Sequence, residues 1–247
     1  MKSIDTHGFF CCEKLKHIKF PTSLTSIGDY SFSWCQSLEE IDIPSSVTSI
    51  DSFAFSVCKL IKKVVIPSNV KFLGKSIFSQ CTSLKEMTIL APFTEIEDYI
   101  FNGCSYLENI TIPESVTVIK TKAFSHCRSL TQFTVPPRVK TIESHAFAFL
   151  DRLTQILLPD SLTCINSYAF TGCTALTQIL IPSSVTLIGE NAFFFCSSLT
   201  EITIPSSVVS IGENAFKNCT SLRKITIPSS FDLSNLGIGP NVEVIKT

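Results

Sequence analysis

Apolar and polar positions recur along this chain with a period of 23 residues. In LTEITIPSSVVSIGENAFKNC, which runs from Leu199 to Cys219, the apolar places are Leu199, Ile202, Ile204, Val208, Ile211, Ala215, Phe216 and Cys219. The alternation Ile202-Thr203-Ile204 has period two and predicts a short strand with both isoleucines inward. Pro205 has no N–H to give to a ladder and predicts its end. Val208 and Ile211 then meet Gly212, which predicts a turn into a second, tighter segment. Ala215, Phe216, Cys219 and Leu222 fall at i, i+1, i+4 and i+7, the spacing of one face of a helical turn or two.

The pattern holds along the chain without a shift of register. Steps of 23 from Pro205 reach Pro182, Pro159, Pro136, Pro113, Pro67, Pro44, Pro21 and Pro228, and only Leu90 departs. A second column reads Phe9, Phe32, Phe55, Phe78, Phe101, Phe124, Phe147, Phe170, Phe193 and Phe216. Three residues further on stands a cysteine in every unit but one, where Leu150 takes its place. A single 23-residue unit cannot bury its apolar side chains alone, so neighbouring units must stack and share one core. The expected fold is an α/β repeat solenoid of about ten units, with a parallel β-sheet on one face and short helical or turn segments opposite. An incomplete repeat occupies residues 1–20, nine repeats fill 21–227, and a divergent closing unit follows over 228–247, all in one continuous solenoid domain.

The unit L-x-x-I-x-I-P-x-S-V-x-x-I-G-x-x-A-F-x-x-C resembles the BspA-like type of leucine-rich repeat, and the resemblance covers essentially the whole chain. It implies a leucine-rich-repeat solenoid that is not an enzyme and that works as a surface antigen or adhesin. Its implied partners are protein or glycan ligands, among them extracellular-matrix proteins and the surfaces of host cells. The commoner leucine-rich form carries Asn or Cys at the ninth place and Leu at the eleventh; here Ser207 and Val208 occupy the ninth and tenth.

Charge narrows the possible partners. Lys and Arg total 20 against 21 Asp and Glu, a formal net charge of −1. So near-neutral a balance argues against a dedicated nucleic-acid or anionic-membrane binder, which needs a basic surface to displace counterions. No apolar run approaches the roughly 18 residues of a membrane span. The opening stretch shows no apolar core of a signal peptide, so an intracellular scaffold stands as the alternative to the cell surface. Nothing in the sequence sets an oligomeric state.

No reaction chemistry is expected. The cysteine column, which includes Cys127, Cys173, Cys196 and Cys219, reads as a ladder of small buried thiols. Together with Phe124, Phe170, Phe193 and Phe216 it forms the expected structural ladder. Occasional disulfides between rungs remain open, while a period of 23 offers none of the close pairs that a zinc site requires. Cys11 and Cys164 lie off the column and are expected to be the most reactive. His7, His17, His126 and His145 are read as falling in different columns, so no site gathers them. No catalytic residue, metal ligand or cofactor is assigned.

The outer face of the sheet is the candidate ligand surface. Its outward columns contain Glu86, Asn109, Gln132, Thr134, Gln155, Leu157, Gln178, Leu180 and Glu201. Gln132, Gln155 and Gln178 should form a stacked amide column flanked by the outward Leu157 and Leu180. The same columns also read simply as side-chain ladders that stabilise a flat sheet. A second outward set, Trp34, Phe149 and Phe195, sits one place before the cysteine column. The triplets Asn109-Ile-Thr111 and Asn218-Cys-Thr220 match the glycosylation acceptor.

Overall fold

A computed structural model describes all 247 residues. They form two compact units, Met1–Val116 with Ala123–Arg128, and Thr117–Lys122 with Ser129–Thr247. Each unit is a parallel β-solenoid of 23-residue coils, and neither contains a helix.

Every coil has three sides. On the first, the L-x-x-I-x-I segment gives the sheet face. In the first unit Lys63–Ile66, Glu86–Ile89 and Asn109–Thr111 pair in parallel and in register. In the second, Gln132–Thr134 pairs with Gln155–Leu157, and Glu201–Thr203 pairs with Lys224–Ile227. The alternation predicted for these segments is seen directly: in Gln155–Leu157 the outer two residues are exposed and Ile156 is buried.

The second side is a strand that the hydrophobic pattern did not announce. The residue before each V-x-x-I isoleucine and the isoleucine itself form a two-residue strand. Ser3–Ile4, Ser26–Ile27, Ser49–Ile50 and Phe72–Leu73 make one such ladder in the first unit. Val118–Ile119, Thr141–Ile142, Cys164–Ile165, Leu187–Ile188 and Ser210–Ile211 make another in the second. Threonines outside this ladder brace it, as where Thr163 Oγ1 donates to the Lys140 carbonyl at 3.0 Å.

The third side corrects the expected helical segment. A helix would send each N–H four residues back. Here Tyr30, Phe32 and Trp34 donate forward to the carbonyls of Ser52, Ala54 and Ser56 in the next coil, at 3.1, 2.8 and 2.9 Å. The intervening Ser31, Ser33 and Cys35 donate three residues back, to Gly28, Tyr30 and Phe32. Tyr168, Phe170 and Gly172 of the second unit repeat the forward pattern toward Glu190, Ala192 and Phe194. The chain turns because two places per coil adopt positive φ. One column runs through His7, Tyr30 and Phe53 to Asn191 and Asn214, the other through Cys11, Trp34 and Val57 to Phe195 and Asn218. Three successive turns of this kind bury i, i+1, i+4 and i+7 as a helix would, so the burial prediction holds while the backbone differs.

The core is a stack of phenyl rings. Phe32 and Phe55 have centroids 5.2 Å apart, and Phe170 and Phe193 lie 5.5 Å apart, with rings within 10° of parallel. All of the column from Phe32 to Phe216 is buried. Burying one such ring is worth about 1.5–3 kcal/mol, and stacked aromatic pairs add about 0.5–1.5 kcal/mol more.

The thiols have a defined place in this core. Each buried cysteine donates its S–H to the carbonyl of the Phe in the preceding coil. Cys58 reaches Phe32, Cys127 reaches Phe101 and Cys196 reaches Phe170, at 3.1, 3.2 and 3.2 Å. The same carbonyls accept the N–H of the cysteine in their own coil, as Phe32 does from Cys35. One small donor thus ties adjacent coils through a main-chain acceptor. Burial pushes the Cys35 thiol up to about 11 and those of Cys173 and Cys219 up to about 12, so they stay protonated as donors. Leu150 fills the same space without a donor.

The C-terminal coil is shorter. Its strand Glu243–Lys246 pairs with Lys224–Ile227 at a spacing of 19 residues, where Lys224 follows its own partner Glu201 by 23. Leu236 fills the place that an Ala-Phe pair holds elsewhere, accepting the N–H of Phe216.

Candidate ligand face and its relatives

The sheet face differs between the two units. In the first, Lys63 and Glu86 form an ion pair of 2.8 Å across adjacent rungs. That hydrogen bond, and the charge behind it, hold the Glu86 carboxyl below its ordinary range. Lys85 and Glu108 approach to 3.8 Å, and His17 and Glu40 to 3.6 Å. Asn109 is exposed on the outermost strand of this group. On this face Lys63, Glu86 and Glu40 are thus engaged by neighbouring charged or titratable side chains, while Val65 stands 38% exposed.

In the second unit Gln132, Thr134, Gln155, Leu157, Gln178, Leu180 and Glu201 all point outward and are exposed. Gln132 stands in register with Gln155, and Thr134 with Leu157. None of the three glutamine amides makes a side-chain hydrogen bond within the chain. Glu201 and Lys224 stand in register without forming an ion pair. Leu157 and Leu180 are 52% and 81% exposed, beside Ile156 and Ile179, which are buried. Gln155, Leu157, Gln178, Leu180, Glu201 and Lys224 line a shallow depression of about 350 Å³ that runs from Gln155 to Thr226.

At the centre of the depression the sheet is interrupted. Gln155–Leu157 pairs only with Gln132–Thr134, and Glu201–Thr203 only with Lys224–Ile227. The rung Gln178–Leu180 between them forms no strand, although Ile179 and Ile181 remain buried and hold it in place. Uncommitted amides, two exposed leucines and an unladdered rung thus meet in one part of the face.

Other candidates are placed as follows. Phe124, Cys127, Phe170, Cys173, Phe193, Cys196, Phe216 and Cys219 are all core residues. Trp34, Phe149 and Phe195 are exposed, each at a positive-φ position. Cys11 is exposed, as is Cys12, while Cys164 is half-buried in its strand. The reading of the histidines needs correction. His7 and His145 share one column six coils apart, and each stacks on a tyrosine, Tyr30 and Tyr168 respectively. No group of three or more His, Cys, Asp or Glu side chains converges in a metal-binding arrangement.

Comparison with known proteins identifies the class. A BspA type leucine rich repeat region is matched in 6 copies over residues 2–131 and 117–237, so the chain belongs to that family. Among solved structures it is similar to a leucine rich cell surface protein from Faecalibacterium prausnitzii, at 27% identity and a TM-score of 0.54, over 99% of this chain and 76% of that one. It shares its fold with the pneumococcal vaccine antigen PcpA, at 24% identity and a TM-score of 0.70, over 99% of this chain and 65% of the other. No curated protein matches the sequence. No helix of the chain is long and apolar enough to cross a membrane.

Proposed function

We propose that the protein is a non-enzymatic interaction module of the cell surface, an antigen or adhesin, that binds a protein or glycan ligand on the sheet face of its second unit. The carrying observation is the depression around Gln155, Leu157, Gln178 and Leu180, where amides without partners lie beside leucines exposed to solvent. Carboxamides offer both donors and an acceptor to peptide or sugar. A leucine 81% exposed gains hydrophobic free energy on being covered. The cell-surface placement draws on the family and on the F. prausnitzii surface protein. Extracellular-matrix proteins and host-cell surfaces are the ligand classes in view, with no part for nucleic acid.

The test is antibody labelling of intact, unpermeabilised source cells beside permeabilised ones. Labelling of intact cells supports the proposal. Labelling only after permeabilisation overturns the surface placement and turns the search to intracellular partners of the same face.

A further inference from the structure

On the third side of the first unit, two ladders of outward residues flank a cleft of about 360 Å³. One wall is the stack of His7, Tyr30 and Phe53, with ring centroids 5.2 and 4.6 Å apart and rings parallel within 4°. The other is formed by Phe10 and Trp34, 41% and 43% exposed. The floor is a row of serines whose hydroxyls are already engaged. Ser33 and Ser56 bond each other at 2.8 Å, and Ser79 donates to the Asn102 carbonyl at 3.3 Å. No carboxylate and no ammonium lines the cleft.

The wall residues are held at a conformational cost. Tyr30, Trp34, Phe53 and Val57 all have positive φ, at 53°, 66°, 60° and 61°. Bulky and β-branched side chains rarely adopt that region. The same two columns elsewhere hold Asn191, Asn214, Asn218, Gly103 and Gly172, which tolerate it well, but also Tyr99, Phe149, Tyr168 and Phe195.

We infer that this cleft is a second binding site, separate from the sheet face, and that its ligand is a proline-rich segment of another protein in the polyproline II conformation. Such a segment is apolar, uncharged and without N–H donors, and it presents only carbonyl acceptors. The cleft matches it. The Trp34 indole N–H and the Tyr30 hydroxyl bond nothing within the chain and stand ready to donate, while the aromatic walls take proline rings. Two successive ring spacings along His7, Tyr30 and Phe53 together match one turn of polyproline II, about 9 Å. Aromatic ridges are the usual receptor for such peptides.

Trp34 is the sole tryptophan of the chain and reports on its own site. Titration of the full chain with decaproline should change its emission saturably, while a Gly-Ser peptide of equal length should leave it unchanged. Trp34→Asn, the residue that Asn218 supplies in the same column, should weaken binding of labelled decaproline by at least about tenfold. Its unfolding midpoint should not fall, since the strain is relieved. The triple Arg variant at Gln155, Leu157 and Leu180 should bind decaproline normally. Decaproline without effect, or undiminished binding by Trp34→Asn, overturns the inference. Saturation by a gluco-oligosaccharide with decaproline inert overturns it too and assigns the cleft to a glycan.

Discussion

The sheet faces of the two units are built on the same coil yet carry different chemistry. In the first, Lys63 and Glu86 neutralise each other at 2.8 Å. In the second, the corresponding columns hold Gln155 and Gln178 without partners, and then Glu201 and Lys224, in register but not paired. The adjacent outward column holds Val65, Thr88 and Thr111 in the first unit, and Thr134, Leu157, Leu180 and Thr203 in the second, where the two leucines are the more exposed apolar side chains. The inward columns change little: every Phe from Phe32 to Phe216 is buried, as are Cys35 to Cys127 in the first unit and Cys173, Cys196 and Cys219 in the second. A repeat solenoid thus separates its two tasks. Inward residues are fixed by the stack, and outward ones are free to become a self-satisfied surface or a receptive one.

If that separation holds, damage to the core should be severe and equal in both units. Phe55→Ala and Phe170→Ala should each cost about 3–5 kcal/mol, measured by denaturant unfolding. A small shift for either variant would mean that its ring is not part of a shared core.

High pH should weaken both units next. The thiols of Cys35 and Cys173 are raised by burial from an ordinary 9.0 to about 11 and about 12. An unfolded thiol loses its proton near pH 9 while the folded one keeps it, so the unfolded state binds fewer protons and stability falls as pH rises. Denaturation midpoints should hold steady up to about pH 9 and then decline toward pH 11 and 12. A midpoint unchanged at pH 10.5 would contradict the buried S–H donors.

Alkylation should draw the line between coils more finely. Iodoacetamide on the native protein should modify the exposed Cys11 and Cys12 first and the half-buried Cys164 more slowly. The eight buried thiols should react only on unfolding, and intact-mass spectrometry would count the adducts. Rapid loss of all thiols would show that the coils open readily.

The smallest effect belongs to the charged face. Lys63→Ala removes a solvent-exposed pair, and the unfolding midpoint should scarcely move. A pronounced drop would mean that the first unit's face is structural rather than merely neutral.

The inward columns were legible because burial needs only a side-chain period, and Phe170 or Cys196 declares it in plain letters. The backbone of the third side was not, since Ala215, Phe216, Cys219 and Leu222 have a helix's spacing whether the chain coils or makes three turns. A signal was present nonetheless. Asn191, Asn214, Asn218, Gly103 and Gly172 all stand in the two positive-φ columns, and these are residues that accept that conformation. The outward direction of Gln155, Leu157, Gln178 and Leu180 followed from period-two alternation. The break in the sheet did not. Gln155-Ile156-Leu157 and Gln178-Ile179-Leu180 are the same tripeptide, yet only the first forms a strand. That difference cannot be read from three letters.

The central claim is that the second unit's face is the receptive one. Its most direct test is binding of the purified protein to a panel of immobilised matrix proteins and glycans, wild type beside two triple variants. Arginine at Gln155, Leu157 and Leu180 should reduce binding by at least about tenfold, about 1.4 kcal/mol, with the fold intact by circular dichroism. Arginine at Glu86, Thr88 and Asn109 should leave it within about twofold of wild type. The reverse order, or equal retention by both variants, would contradict the account.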